Sequence, residues 1–230
     1  MTLELYQLDN PATRFSCFRL RRVSRELIEN VSIGQQVPKH IQDIKCRILF
    51  KESKPRRLGD FPDIDAMQGV AISEKFRSVF EEHLHACFDI IPIEITGYGI
   101  ERHDSWEYPA ENEIPTDVWE NQPYWFLHPS RSFQGAGEPE EIKPYNCRDP
   151  SKINVDPDEL ERKLAEARAR YQGALHKVRT ELAGTLPPPM FVAGDAGRVC
   201  FTGEFKRICK KERLVGIHIR EITNDDANQI

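Results

Sequence analysis

Two stretches of the chain carry the same succession of apolar and polar positions. The first runs from Val70 to Ile95. Val70-Ala71-Ile72 ends at Ser73, Phe76, Val79, Phe80 and Leu84 then recur at helical spacing, and a β-branched run follows from Ile90 to Ile95. That order predicts a short strand, a Ser-capped helix and a longer strand. Near the C-terminus, Val199-Cys200-Phe201 leads to Thr202, then Glu204-Phe205-Lys206-Arg207-Ile208, then Val215 to Ile222. Ile72 aligns with Phe201, Ser73 with Thr202, Phe76 with Phe205, Val79 with Ile208, and Glu94-Ile95 with Glu221-Ile222. A solenoid needs about three or more repeats to close a core, so two copies read as equivalent supports, with function held elsewhere. Chance likeness between two ordinary strand–helix–strand pieces is the alternative, because caps and apolar faces are common.

Leu3 to Leu8, Phe15 to Leu20, Cys46 to Phe50 and Tyr124 to Leu127 read as further strands. Gly97 and Gly99 are expected to end the strand that begins at Ile90. Asp156-Pro157-Asp158-Glu159 is a helix start, and Leu160, Leu164, Ala167, Tyr171, Val178 and Leu182 mark one face of a long helix. Gly184 and Pro187-Pro188-Pro189 stop it, and the tail from Thr223 is polar. The predicted fold is α+β, with mixed or antiparallel sheets, short capped helices and one long helix near 158–183. It forms one domain over 1–230, or two lobes, 1–150 and 151–230, each with one strand–helix–strand unit.

The 230 residues are enough for a sizeable core. No apolar run approaches the roughly 20 residues that span a bilayer. The acidic start Met-Thr-Leu-Glu-Leu-Tyr lacks the basic and apolar blocks of a signal peptide, so a cytoplasmic location is expected. The six cysteines form no Cys-x-x-Cys pair and read as buried, reduced packing residues. The net charge of −5 hides an asymmetry: residues 59–158 hold 21 acidic and 7 basic side chains, against 6 and 12 in residues 1–58. An acidic middle argues against nucleic acid and for a basic partner.

Signatures of chemistry are sparse. No phosphate-binding Gly loop, Gly-x-Ser-x-Gly or His-Glu-x-x-His is present. His83, His85 and Cys87 alternate and in an extended chain could clasp zinc, which leaves a small metalloenzyme as one alternative. They fall at the end of a predicted helix, where histidine is better explained by the dipole and open carbonyls. No enzyme, metal or cofactor is expected. The stronger signal is a loop. All three tryptophans, Trp106, Trp119 and Trp125, lie within 20 residues, with Tyr108 and Tyr124 among them. From Asp104 to Glu141 there are nine acidic residues and one basic, Arg131. Aromatic anchors supply buried contact and carboxylates steer the encounter, which is how a surface takes a basic protein. Trp106, Glu107, Tyr108, Glu111, Glu113, Asp117, Trp119 and Glu120 are the expected partner-binding residues, and Trp125 is expected in the core. A structural adaptor that assembles through the 158–182 helix is a further alternative.

Phe61-Pro62-Asp63 with Gly69, then Ile72-Ser73-Glu74-Lys75-Phe76 and a helix, then Ile91-Pro92-Ile93-Glu94-Ile95, resembles the bacterial polymorphic-toxin immunity proteins first described from myxobacteria. The aromatic strand Tyr124-Trp125-Phe126-Leu127 and the second helix–strand unit fit the same pattern, which covers roughly residues 60 to 222 in pieces. The second unit departs from it, with Thr202-Gly203-Glu204 where the first has Ser73-Glu74-Lys75. The resemblance implies a cytoplasmic antitoxin in contact-dependent or type VI secretion competition. It would be a monomer or weak homodimer that occludes a cognate basic toxin, such as a nuclease, without turnover and with no membrane or nucleic-acid partner.

Overall fold

Both predicted strand–helix–strand units form, and they share one plan. The computed structural model describes residues 4–8, 17–20, 37–38, 41–51, 58–62, 64, 69–102, 105–107, 123–133, 139–141, 161–162, 165–166, 169, 172–173, 187–193 and 198–222. In the first unit, β4 (Val70–Ser73) leads into α1 (Glu74–Leu84) and β5 (Phe88–Arg102). In the second, β11 (Arg198–Thr202) leads into α2 (Gly203–Lys211) and β12 (Ile219–Glu221). Ser73 and Thr202 are the N-caps: each hydroxyl accepts the amide N–H three residues on, from Phe76 and Phe205.

The remaining strands are β1 (Leu5–Leu8), β2 (Cys17–Leu20), β3 (Ile44–Lys51), β6 (Ser105–Glu107), β7 (Tyr124–Pro129), β8 (Arg131–Ser132), β9 (Glu140–Glu141) and β10 (Met190–Ala193). They make an antiparallel sheet in the order β10-β11-β1-β12, a mixed sheet in the order β2-β3-β5-β7-β4 with β6 on β5, and the ribbon β8-β9. The fold is therefore α+β. Among the described residues no helix is long and apolar enough to cross a membrane.

The equivalence of the two units extends well beyond the caps. An offset of 129 residues carries Ser73 onto Thr202, and with it the hydrogen-bond pattern. The Ser73 N–H donates to Asp60 O and the Thr202 N–H to Pro189 O, both at 2.9 Å. The Glu74 N–H donates to Pro123 O and the Gly203 N–H to Glu4 O. In each unit the two strands stand apart, and an antiparallel strand fills the slot between them. In the first unit that strand is β7, with Tyr124 opposite both Ser73 and Ile93, and Trp125 opposite both Ile72 and Pro92. In the second it is β1, with Leu5 opposite Thr202 and Tyr6 opposite both Phe201 and Glu221. Each unit thus receives its central strand from outside itself, the first from the chain that follows it and the second from the distant Leu5–Leu8. The register also corrects the sequence alignment, since Glu221-Ile222 corresponds to Pro92-Ile93 rather than Glu94-Ile95.

Equivalent positions also meet. The rings of Phe76 and Phe205 lie 6.0 Å apart, and Phe80 stacks on Phe205 at 5.0 Å. Contact between like positions is what a two-fold relation produces. These rings sit in one apolar cluster that draws Leu5, Val70, Ile72 and Leu127 together with Met190, Phe191 and Phe201. The opposite face of the mixed sheet is covered as well, by Phe18, Ile44, Ile48, Ala71, Ile91 and Phe126. Burial on both faces explains why Val-Ala-Ile shows no polar alternation.

Asp60 joins the units. Its carboxylate accepts the Ser73 hydroxyl at 2.7 Å and the Val215 N–H at 2.8 Å, and its own N–H donates to Val215 O. Next to it, a Cβ on Gly59 would sit 2.9 Å from Gly216 Cα, so the backbones meet where neither has a side chain.

Two further expectations change. Gly97 and Gly99 do not end β5, which runs to Arg102. Gly97 instead lies at a bulge: Cys46 pairs with Ile95 and Ile48 with Tyr98, so two residues of β5 oppose Arg47. The strand expected over Val215 to Ile222 shrinks to Ile219–Glu221, because Gly216 has φ 80° and the chain turns there. In the region of the expected long helix, residues 161–162, 165–166, 169 and 172–173 are helical.

Two outcomes follow from this exchange. A protease site inserted between residues 111 and 117 and then cut should leave two fragments that co-elute and separate only in denaturant. Elution as two separate species in native buffer would contradict it. Asp60→Ala removes the acceptor for two partly or fully buried donors and should lower unfolding free energy by about 2–4 kcal/mol in urea titration.

Candidate interaction face

The acidic, tryptophan-bearing segment is fixed at both ends to one edge of β5. β3 occupies the other edge. β6 pairs with the far end of β5, placing Trp106 opposite Glu101 and Glu107 opposite Ile100. β7 pairs with the near end, placing Tyr124 opposite Ile93. The two anchors stand about 23 Å apart along the strand. The chain that joins them could reach about 50 Å. Tyr108, Glu111, Glu113, Asp117, Trp119 and Glu120 belong to this connection and lie outside the described residues, so β6 brings together only the backbones of Trp106 and Glu107.

Where the segment rejoins the fold it meets the N-terminus of α1. Pro123 O accepts the Glu74 N–H at 3.0 Å. Trp125, expected in the core, is half-buried at its margin. Its indole N–H donates to the Glu74 carboxylate, and the Arg77 guanidinium lies 4.0 Å over its ring. Arg77 also pairs with Glu74 at 3.6 Å and Glu81 at 3.3 Å. In the second unit Lys206, the counterpart of Arg77, lies 4.9 Å over Tyr6, the counterpart of Trp125. Burial, with the carboxylates of Glu4 and Glu221, pushes the Tyr6 hydroxyl above its ordinary pKa. A cation over a ring is worth about 0.5–1 kcal/mol at such partly exposed sites.

The outer faces of the two helices differ in sign. The exposed positions Ser78, Glu81 and Glu82 of α1 correspond to the exposed Arg207, Lys210 and Lys211 of α2. The acidic segment returns at Glu74, and Glu81 and Glu82 lie about two turns further along the same helix. Counting charge over whole regions of sequence hides the basic face of α2. The signal that finds it is local, four cations at 206, 207, 210 and 211 within one short amphipathic helix.

The alternative chemistries do not assemble among the described residues. His85 is the exposed C-cap of α1, His83 is half-buried, and Cys87 is fully buried. No group of three or more His, Cys, Asp or Glu there could hold a metal ion. Cys46, Cys87, Cys200 and Cys209 are buried in the core and form no disulfide. Burial pushes the Cys46 and Cys209 thiols up to about 12 and Cys87 to about 11, away from the thiolate a nucleophile needs. Of the 158–182 helix, the described Glu161, Arg162, Ala165, Glu166 and Ala169 form an exposed face, with Arg162 and Glu166 paired at 2.7 Å. The apolar stripe that would assemble an adaptor, including Leu164 and Tyr171, lies outside the described residues.

No protein-family model matches the chain, and no curated protein matches it.

The raised thiols have a pH consequence. A thiol near 9.0 when unfolded and at about 11 to 12 when folded binds its proton more tightly in the native state. The stability this gives is complete below pH 9 and is lost as pH rises towards 12. At pH 8, iodoacetamide should leave Cys46, Cys87 and Cys209 unlabelled in the native protein and label them on unfolding, read site by site by mass spectrometry.

Proposed function

We propose that the protein is a cytoplasmic immunity protein that binds a basic bacterial toxin and blocks it by occlusion, without turnover. One observation carries the reading. The segment that holds Trp106, Trp119 and six of the acidic side chains between Asp104 and Glu120 is tethered to one sheet edge and returns at the N-terminus of α1. Glu81 and Glu82 are exposed further along that helix, so the carboxylates of helix and segment act on a partner in the same sense. Fixed anchors matter because a binding segment held at both ends loses less entropy when it docks. The partner would be a cationic protein surface such as that of a nuclease, for which clustered carboxylates stand in for phosphates. The likeness of the Phe61-Pro62-Asp63, Ser73-Glu74-Lys75-Phe76 and Ile91–Ile95 motifs to the immunity proteins points the same way. The inward-facing, proton-holding thiols give no support to a catalytic reading.

The test is a set of charge reversals. Glu107, Glu111, Glu113, Asp117 and Glu120 changed together to Lys should slow association with a toxin domain encoded beside this gene by about tenfold or more at low salt. The melting temperature should be nearly unchanged. An unchanged association rate across a range of salt would place the face elsewhere.

A further inference from the structure

The two units keep one backbone plan and invert the charge on its surface, so equivalent places on them suit different ligands. The offset that carries Ser73 onto Thr202 also carries Phe88, Asp89 and Ile90 onto Ile217, His218 and Ile219. In the first unit this place is a pocket of about 450 Å³, lined in part by an earlier stretch of the chain. Asp89 accepts the Val37 N–H at 2.8 Å, and Val37, Pro38 and Ile41 lie against His85 and the start of β5. In the second unit the same place is an open groove of about 290 Å³. Phe205, Cys209, Leu214, Ile217 and Ile219 form its floor, and Lys206 and Lys210 stand along its rim. His218 replaces Asp89 there, and its Nε2 is shielded from solvent with no hydrogen-bond partner.

We propose that this groove docks an acidic peptide that carries an apolar side chain. The peptide would place its apolar side chain on this floor and its carboxylates beside Lys206 and Lys210, held by charge complementarity. Lys206 and Lys210 are one helical turn apart and project from one face of α2, so both reach the same ligand. Arg207, Lys211 and Arg213 surround them, all exposed. The floor is aliphatic apart from Phe205, which is fully buried. A single-stranded nucleic acid would require exposed rings to stack on, and the groove presents none. Its volume suits one or two side chains rather than a larger organic ligand. This site is separate from the acidic face and does not depend on the immunity reading.

The probe is a fluorescein-labelled peptide of Glu-Glu-Leu repeats, titrated with the full-length protein and followed by anisotropy. Lys206→Glu/Lys210→Glu should weaken binding by about tenfold or more. Lys206→Gln/Lys210→Gln should weaken it by less, and Glu81→Lys/Glu82→Lys on α1 should leave it no weaker. Circular dichroism melts establish that each variant is folded, and the glutamine variant decides the matter where the glutamate variant is not. Equal binding by wild type and both Lys206/Lys210 variants overturns the proposal. Tighter binding of a single-stranded oligonucleotide than of the peptide overturns it in favour of nucleic acid. So does self-association that the same variants abolish while peptide binding persists, which would assign the groove to a second copy of the chain.

Discussion

A strand–helix–strand unit whose two strands do not pair with each other leaves a row of backbone donors and acceptors facing an empty slot. Buried backbone groups of this kind must find partners, or each costs about 1–3 kcal/mol. Here each slot is filled from outside the unit, by Tyr124–Pro129 in the first unit and Leu5–Leu8 in the second. Most of the architecture follows from that exchange. It fixes which side chains lie under the helix N-termini, so Trp125 sits under Arg77 and Tyr6 under Lys206. It also brings the two helices together, so the Phe76, Phe80 and Phe205 rings share one cluster instead of closing two small cores. A boundary at residue 150 would cut the β10-β11-β1-β12 sheet, because β1 lies with the C-terminal strands, and it would divide the cluster that spans both units.

The framework is symmetric in its interior and asymmetric at its surface. Caps, ladder registers and ring positions repeat, whereas Glu81 and Glu82 on one helix face Lys210 and Lys211 at the same places on the other. Interior positions are fixed by packing, where a changed volume is costly. Exposed positions are free of that constraint, and their charge sets which partner approaches and how fast. The two grooves follow the same rule: Asp89 holds an earlier stretch of the chain through Val37, and its counterpart His218 has no hydrogen-bond partner at Nε2.

The units were legible in the sequence because local signals define them: a hydroxyl cap, an apolar face at helical spacing, a β-branched run. Ser73, Thr202, Phe76 and Phe205 stand in the roles their spacing suggests. The exchange was not legible. It consists of pairings across roughly 30 to 60 residues in the first unit and about 200 in the second, and Leu5–Leu8 carries nothing that names its partners. The strand at Met190–Ala193 was missed because four apolar residues after three prolines resemble the end of an element. Gly97 misled because glycine ends many strands but also fits a bulge. Of the candidate face, Trp106 and Glu107 are tied to a strand, while the other six lie outside the described residues. The basic groove was hidden for a different reason. It is built from one short helix and the turn after it, and regional sums of charge average it away.

The exchange of strands also orders events in time. A ribosome delivers the chain in order, and Leu5–Leu8 emerges long before its two neighbours in the sheet, Arg198–Thr202 and Ile219–Glu221. That strand therefore waits for both before it has a place. Val70–Ser73 and Phe88–Arg102 wait for a shorter time, until Tyr124–Pro129 follows. Pairings as distant as those of Leu5–Leu8 are slow to form, and their apolar edges stay open meanwhile. A nascent chain that has not yet reached residue 219 leaves Leu5–Leu8 without one of its neighbours, so the order of synthesis bears on when this sheet can close.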